Sequence, residues 1–236
     1  EGSMEIKKYI IIIVISFLFS NQETNYNVTL YGIPMATVEI LFNDTNYNNF
    51  KTVTLTFETK TTSMMTQIFE VDNHYETIIM KENFDIVSFK KTTYQPNVTN
   101  QIKTISENKN ITYEGTNIRI PKQHFNIFSL LYYLSNTPFK DIKSVVDLER
   151  EGLHYKCIIN KKRIENFYEI ELEFHLLEEQ NQNPVFENSD IFTWALFRDG
   201  ARNKVIIDSS LNQIQKCIFS LGFSNLEAQI KKPLNK

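Results

Sequence analysis

The chain has 236 residues, 42% of them hydrophobic and 22% charged, with a formal net charge of −3. That balance, with no basic run interleaved with aromatics, lacks the electropositive face by which nucleic-acid binders hold phosphates. Six Gly, six Pro and two Cys exclude collagen-like, linker-rich and disulfide-stapled classes.

Lys7 and Lys8 precede an apolar run at 9–19, interrupted by Ser16, and Ser20, Asn21, Gln22 and Glu23 follow it. A positive start, an apolar stretch of roughly 7–15 residues and a polar exit form the pattern of a secretory signal peptide. The run is shorter than the ~20 apolar residues a membrane-spanning helix needs. The reading is a signal peptide over 4–20 and a single exported β-rich domain over 21–236, in the periplasm or outer cell envelope, with no transmembrane helix in the mature chain. Glu1-Gly2-Ser3 stands before Met4 and takes no part in it. Export would allow Cys157 and Cys217 to form a disulfide, provided their Cα atoms come within ~7 Å, which the sequence leaves open.

Strand patterns dominate the remainder. Residues 26–31 alternate and meet Gly32-Ile33-Pro34, and 35–42 resume the alternation, which predicts an antiparallel hairpin. Residues 51–60 place Val53, Leu55 and Phe57 on one face and threonines on the other. Such alternation belongs to a sheet with one buried and one wetter face. The period at 62–69 is ambiguous between a helical turn and a bulged strand. Further strands are predicted at 74–80, 86–94, 101–106, 111–113 and 117–120.

Residues 125–134 break this rhythm. They are nearly continuously apolar, between Pro121 and Asn136-Thr137-Pro138, and read as a short buried helix. A fully buried strand is the alternative. Strands are then predicted at 144–148, 153–160, 163–176, 191–198, 204–208, 213–221 and 226–231. A turn is predicted at Asn160-Lys161-Lys162, a polar loop at 178–189 and a tight turn at Asp199-Gly200. Lys216, Glu227, Gln229 and Lys231 read as charges that blunt an exposed edge. The fold class is mainly β: a large curved antiparallel sheet or incomplete β-barrel, with one or two short helices packed on the concave face.

Chemistry-bearing motifs are sparse. His74, His124, His154 and His175 are isolated, and no His or Cys spacing suits a metal site. There is no nucleophile elbow and no glycine-rich phosphate loop, so no catalytic residue and no cofactor is assigned. Glu169, Glu171 and Glu173 share a strand face, which reads as solvated rather than catalytic. Asn27, Asn43, Asn97 and Asn110 stand in Asn-x-Ser/Thr triplets, which chance explains in so Asn-rich a chain. The aromatics suffice either to fill a core or to line an apolar cavity.

Ordered short motifs resemble an exported bacterial family known as domain of unknown function 3108. They are Tyr26-x-Val28-x-x-Tyr31-Gly32-Ile33-x-x-Ala36, Phe69-x-Val71-x-x-His74-Tyr75-Glu76-Thr77, Phe89-Lys90-Lys91, Ile120-Pro121 and Phe128-Ser129-Leu130-Leu131-Tyr132-Tyr133-Leu134. Trp194, Asp199 and Leu226-Glu227-Ala228 continue the order, while Asn126, Ser135 and Val87 depart from it. The resemblance implies an exported antiparallel β protein similar to incomplete-barrel lipoprotein carriers, and no catalytic residues. The expected function is non-catalytic binding of a hydrophobic or lipid-like ligand in a half-barrel cavity, by Phe125, Phe128, Leu131, Tyr132 and Trp194. The alternative is an adaptor that binds another envelope protein through a sheet edge or convex face. An enzyme would require histidines and glutamates to converge in a cleft.

Overall fold

The computed structural model describes residues 22–177, 184–222 and 224–231. The apolar run at 9–19 and half of the loop predicted at 178–189 lie outside them. Fourteen strands, antiparallel throughout, form one sheet in the order β8-β7-β6-β5-β4-β3-β2-β1-β14-β13-β12-β11-β10-β9. In chain order they are β1 (Gln22–Leu30), β2 (Ile33–Tyr47), β3 (Phe50–Thr61), β4 (Asp72–Met80), β5 (Ile86–Gln95), β6 (Val98–Glu107), β7 (Asn110–Tyr113), β8 (Arg119–Pro121), β9 (Val145–Arg150), β10 (Leu153–Ile164), β11 (Phe167–Leu176), β12 (Arg202–Asp208), β13 (Gln213–Leu221) and β14 (Ser224–Ile230). Among the described residues three helices accompany them: α1 (Ser63–Thr66), α2 (Ile127–Asn136) and α3 (Ile191–Leu196), with a 3₁₀ turn at Phe139–Asp141.

Two meanders thus meet where β1 pairs with β14, Val28 opposite Ala228. Register shifts at Val28/Thr29, Ile78/Ile79 and Ile206/Ile207 interrupt the ladder. Such bulges bend and twist a strand, and they curve the sheet toward closure. The outer strands β8 and β9 are drawn together by the chain that follows β8. Phe125 N donates to Asp147 O at 2.9 Å, and Glu149 N donates to Phe125 O at 2.8 Å. The result is a nearly closed, barrel-like sheet.

Helix α2 lies inside it. Asn126 caps the helix: its side chain accepts from Ser129 N at 2.9 Å, and the Ser129 hydroxyl accepts from Asn126 N at 3.0 Å. Asn126 Nδ2 also donates to Thr77 Oγ1 at 3.1 Å, which ties the cap to β4. Phe128 packs on Tyr75, Phe57 and Phe89, at centroid separations of 4.6, 4.8 and 6.1 Å. Removing such an aromatic from a core costs about 3–5 kcal/mol.

Three readings of the sequence are corrected here. The turn expected at Asn160-Lys161-Lys162 is a continuation of β10, and the chain reverses at Glu165-Asn166, with Glu165 at φ 50°. Lys161 Nζ donates at 2.6 Å to both Phe139 O and Ile142 O, satisfying carbonyls at the 3₁₀ turn, so its charge does not mark a loop. Residues 191–198 hold α3 rather than a strand, so Asp199-Gly200 follows a helix. Asp190 caps that helix by accepting from Phe192 N and Thr193 N. The last two strands are not edges, because β14 pairs with β13 and β1. The pairing of Cys157 and Cys217, which the sequence leaves open, is answered by the fold: they are free thiols on β10 and β13, separated by β11 and β12.

Candidate ligand cavity and its polar border

Inward-facing residues of the central strands are small or slender where they meet α2. Val28 on β1, Ala36 and Val38 on β2, and Ala228 on β14 leave space that Phe57, Phe128 and Leu131 do not fill. The space is a cavity of about 470 Å³, walled by β1–β4 and β11–β14 together with α2 and α3. That volume lies within the ~300–1,000 Å³ of ordinary small-ligand pockets. Its lining is nearly all hydrocarbon. Lys204 is the one charged lining residue among those described, and its ammonium bonds Glu169 at 3.0 Å and Glu171 at 3.2 Å on the solvated face.

Polar groups on the wall are mostly engaged. Tyr26 OH donates to Ile214 O at 2.8 Å, and burial pushes its pKa up. Asn203, 6% exposed, donates through Nδ2 to Leu196 O at 3.1 Å. Burial pushes the Cys217 thiol up to about 12. One end of the barrel, near Met35, Met65 and Phe69, carries the exposed apolar residues Tyr31, Ile33, Met64 and Ile68. The Thr62 N to Met35 O bond, 3.0 Å, holds α1 against the start of β2 there.

Behind Tyr75 and Thr193, which belong to the cavity wall, the interior changes character. Lys91, on the inward face of β5, is 1% exposed. Its ammonium lies 2.7 Å from Asp190, which is fully buried, and bonds Glu151, which is 4% exposed. Ser189 Oγ donates to Glu151 Oε1 at 2.9 Å. Glu151 sits at φ 52° and Gly152 at φ 94°, a hairpin turn that carries the acid inward. Burial opposes ionisation of Asp190, yet the Lys91 charge and the Thr193 bonds hold its pKa below the ordinary value. Burial raises the Tyr75 hydroxyl, and the neighbouring Asp190 carboxylate adds to that.

Beyond this cluster, Tyr113 OH donates to Glu149 Oε2 at 2.6 Å. Glu149 is 1% exposed, and burial pushes its carboxyl up to about 7, against the bonds from Tyr113 and the Gly152 N–H. His124 and His154 meet edge to face at 5.2 Å. His154 is the cross-strand partner of Glu149. His74 instead lies 3.3 Å from Glu58, and His175 lies 3.8 Å from Glu173, both on the outer surface.

No protein-family profile and no curated protein matches the chain. The chain is similar to a solved beta-barrel-like protein of domain of unknown function DUF1849 from Brucella abortus. That likeness has a TM-score of 0.52 at 10% sequence identity, over 89% of this chain and 95% of that one. At such identity it carries the fold alone.

Of the five ligand residues expected from sequence, Phe128 and Leu131 are on the cavity wall. The other three are not. Phe125, ahead of α2, bridges to Leu148 of β9 and packs on Tyr133 at 5.0 Å, and Tyr132 on α2 packs on Phe42 of β2 at 5.1 Å, so neither side chain is on the wall. Trp194 is 43% exposed on the outer side of α3, with Arg198 over its ring at 4.9 Å. The wall residues on β1, β2 and β14 were missed because strand alternation marks a buried face without saying what opposes it. Lys91 and Glu151 were missed as well. The available signal was a lysine at an inward position of an alternating strand, and a Glu-Gly turn between two apolar runs.

Proposed function

We propose that this protein is an exported, non-catalytic binder of a hydrophobic or lipid-like ligand in the cavity beneath α2 and α3. The observation that carries the reading is the composition of the wall: a partly open space of some 470 Å³ lined by hydrocarbon, with the one lining charge among the described residues paired outside. A packed core closes such a void, since an empty apolar cavity costs stability in proportion to its volume. The pattern at 4–20 supports export to the envelope. Pairing with a partner strand finds little room, because β8 is three residues long and the outer edge of β9 already bonds Phe125.

Native mass spectrometry of the full chain, purified gently from an envelope fraction, tests the reading. The expected result is a defined adduct that organic extraction removes. A bare mass, with no thermal shift on addition of lipids, would overturn it.

A further inference from the structure

The cavity has chemistry beyond its hydrocarbon. Asn203 stands on β12 between Leu172 of β11 and Phe219 of β13, both cavity-lining residues. Its Nδ2 donates to the backbone carbonyl of Leu196, at the C-terminal end of α3. A carbonyl can only accept, so this bond fixes which end of the amide is which. The amide oxygen Oδ1 is left buried with no partner among the described residues. A buried acceptor in that state costs about 1–3 kcal/mol, and a ligand that supplies a donor recovers it.

The charges set a second condition. Among the described residues no cation on the wall is available to a bound anion, since Lys204 is held by Glu169 and Glu171. Arg150 lies over the rings of Tyr155 and Phe197, which are not on the wall. Lys91 already contacts both Asp190 and Glu151 behind Tyr75 and Thr193, so it is not available to a bound anion either. An anionic headgroup entering this space would be desolvated without a counter-charge, which is strongly unfavourable.

We infer that the cavity takes an uncharged lipid whose hydroxyl or amide N–H donates to Asn203 Oδ1, in preference to a fatty-acid anion of the same chain length. The inference rests on the lipid-binding reading above and adds the class of headgroup. An alkyl or isoprenoid chain fills the space between Val28, Ala36 and Ala228. The donor group lies at the α3 end, where Asn203 also pins the helix.

The test is displacement of the neutral dye Nile red from the full chain at pH 8 by 1-monopalmitoylglycerol and by palmitate. The glycerol ester is expected to compete at about tenfold lower concentration, the size of one hydrogen bond together with an avoided buried charge. In Asn203→Leu the glycerol ester should lose affinity while palmitate does not, so the preference should narrow to the part set by the missing counter-charge. Asn203→Ser, smaller and still polar, serves if the leucine variant does not fold. Palmitate competing equally well in the unaltered protein would overturn the headgroup inference and leave the lipid reading standing. A preference undiminished in both Asn203 variants would overturn the assignment to Asn203. Failure of Nile red and of both lipids to bind would remove the lipid reading and this inference together.

Discussion

Lys91 and Asp190 form a buried ion pair, 2.7 Å apart, between β5 and the cap of α3. Asp190 therefore has two duties: it satisfies the first N–H groups of the helix and it balances a lysine with no access to water. Replacing Lys91 by Met leaves two carboxylates, Asp190 and Glu151, buried without their cation. The expected loss is about 3–5 kcal/mol of unfolding free energy, read from urea denaturation. Trp194, the sole tryptophan, sits on the affected helix and reports its detachment by fluorescence. A loss below about 1 kcal/mol would mean that the pair is as weak as an exposed one.

Glu149 gives the molecule a predictable pH dependence. Its carboxyl titrates near 7 when folded, against an ordinary value of 4.5. Raising the folded pKa of an acid means that the native state binds the proton more tightly than the unfolded chain. The stabilisation is complete below pH 4.5 and disappears as the pH rises through about 7, at up to about 1.4 kcal/mol per pH unit. Glu149→Gln keeps an acceptor for Tyr113 and cannot ionise. The melting temperature of the glutamine variant, measured from pH 4.5 to 8, should lack the decline that the unaltered protein shows. Parallel curves would rule out a native pKa so far above the ordinary one.

The contrast between the legible and the hidden parts of this chain is physical. Alternation in 51–60 reports a half-buried strand because side-chain direction repeats every two residues, and β3 follows it, with Val53, Leu55 and Phe57 buried. The helix at α2 was readable because eight of its ten residues are buried, which a half-wet strand does not allow. Helix α3 was not readable. Its residues serve two surfaces, with Trp194 outside and Thr193 and Ala195 inside, and its decisive feature is a cap residue held by a lysine 99 positions earlier. The cavity was hidden for a similar reason: it depends on Ala36 of β2 and Ala228 of β14 flanking Val28 of β1 in one row of the sheet, a relation set by topology rather than by local pattern.

The cavity and the core should respond oppositely to mutation. Ala228 opposes Val28 and Cys217 across its neighbouring strands and faces the void. Ala228→Trp fills that void, so it should abolish Nile red and lipid binding, and its stability cost should stay below the ~1–3 kcal/mol of overpacking a full core. Leu130, fully buried in α2 and away from the wall, should behave as a core residue. Leu130→Ala should cost about 2–5 kcal/mol and leave binding intact in the folded fraction. Chemical denaturation and dye titration on the same samples separate the two effects. Retained binding in Ala228→Trp would place the ligand elsewhere.

Cys217 offers a direct view of occupancy. Its thiol lines the cavity, and burial pushes it up to about 12, so at pH 8 only about one molecule in ten thousand presents the thiolate. Cys157, also near 12, is fully buried on β10 and lies off the wall. An uncharged maleimide should therefore modify the empty folded protein slowly and at Cys217 first, and Cys217→Ser should remove that reaction. A bound chain covers Ala228 and Val28 beside the sulfur, so saturating 1-monopalmitoylglycerol should slow labelling further, while both thiols react promptly in denaturant. Labelling that is fast in the folded state, or that lipid leaves unchanged, would show that reagent reaches Cys217 by a route the ligand does not occupy. Mass spectrometry of the labelled peptides distinguishes the two cysteines and makes the rate at each a separate measurement.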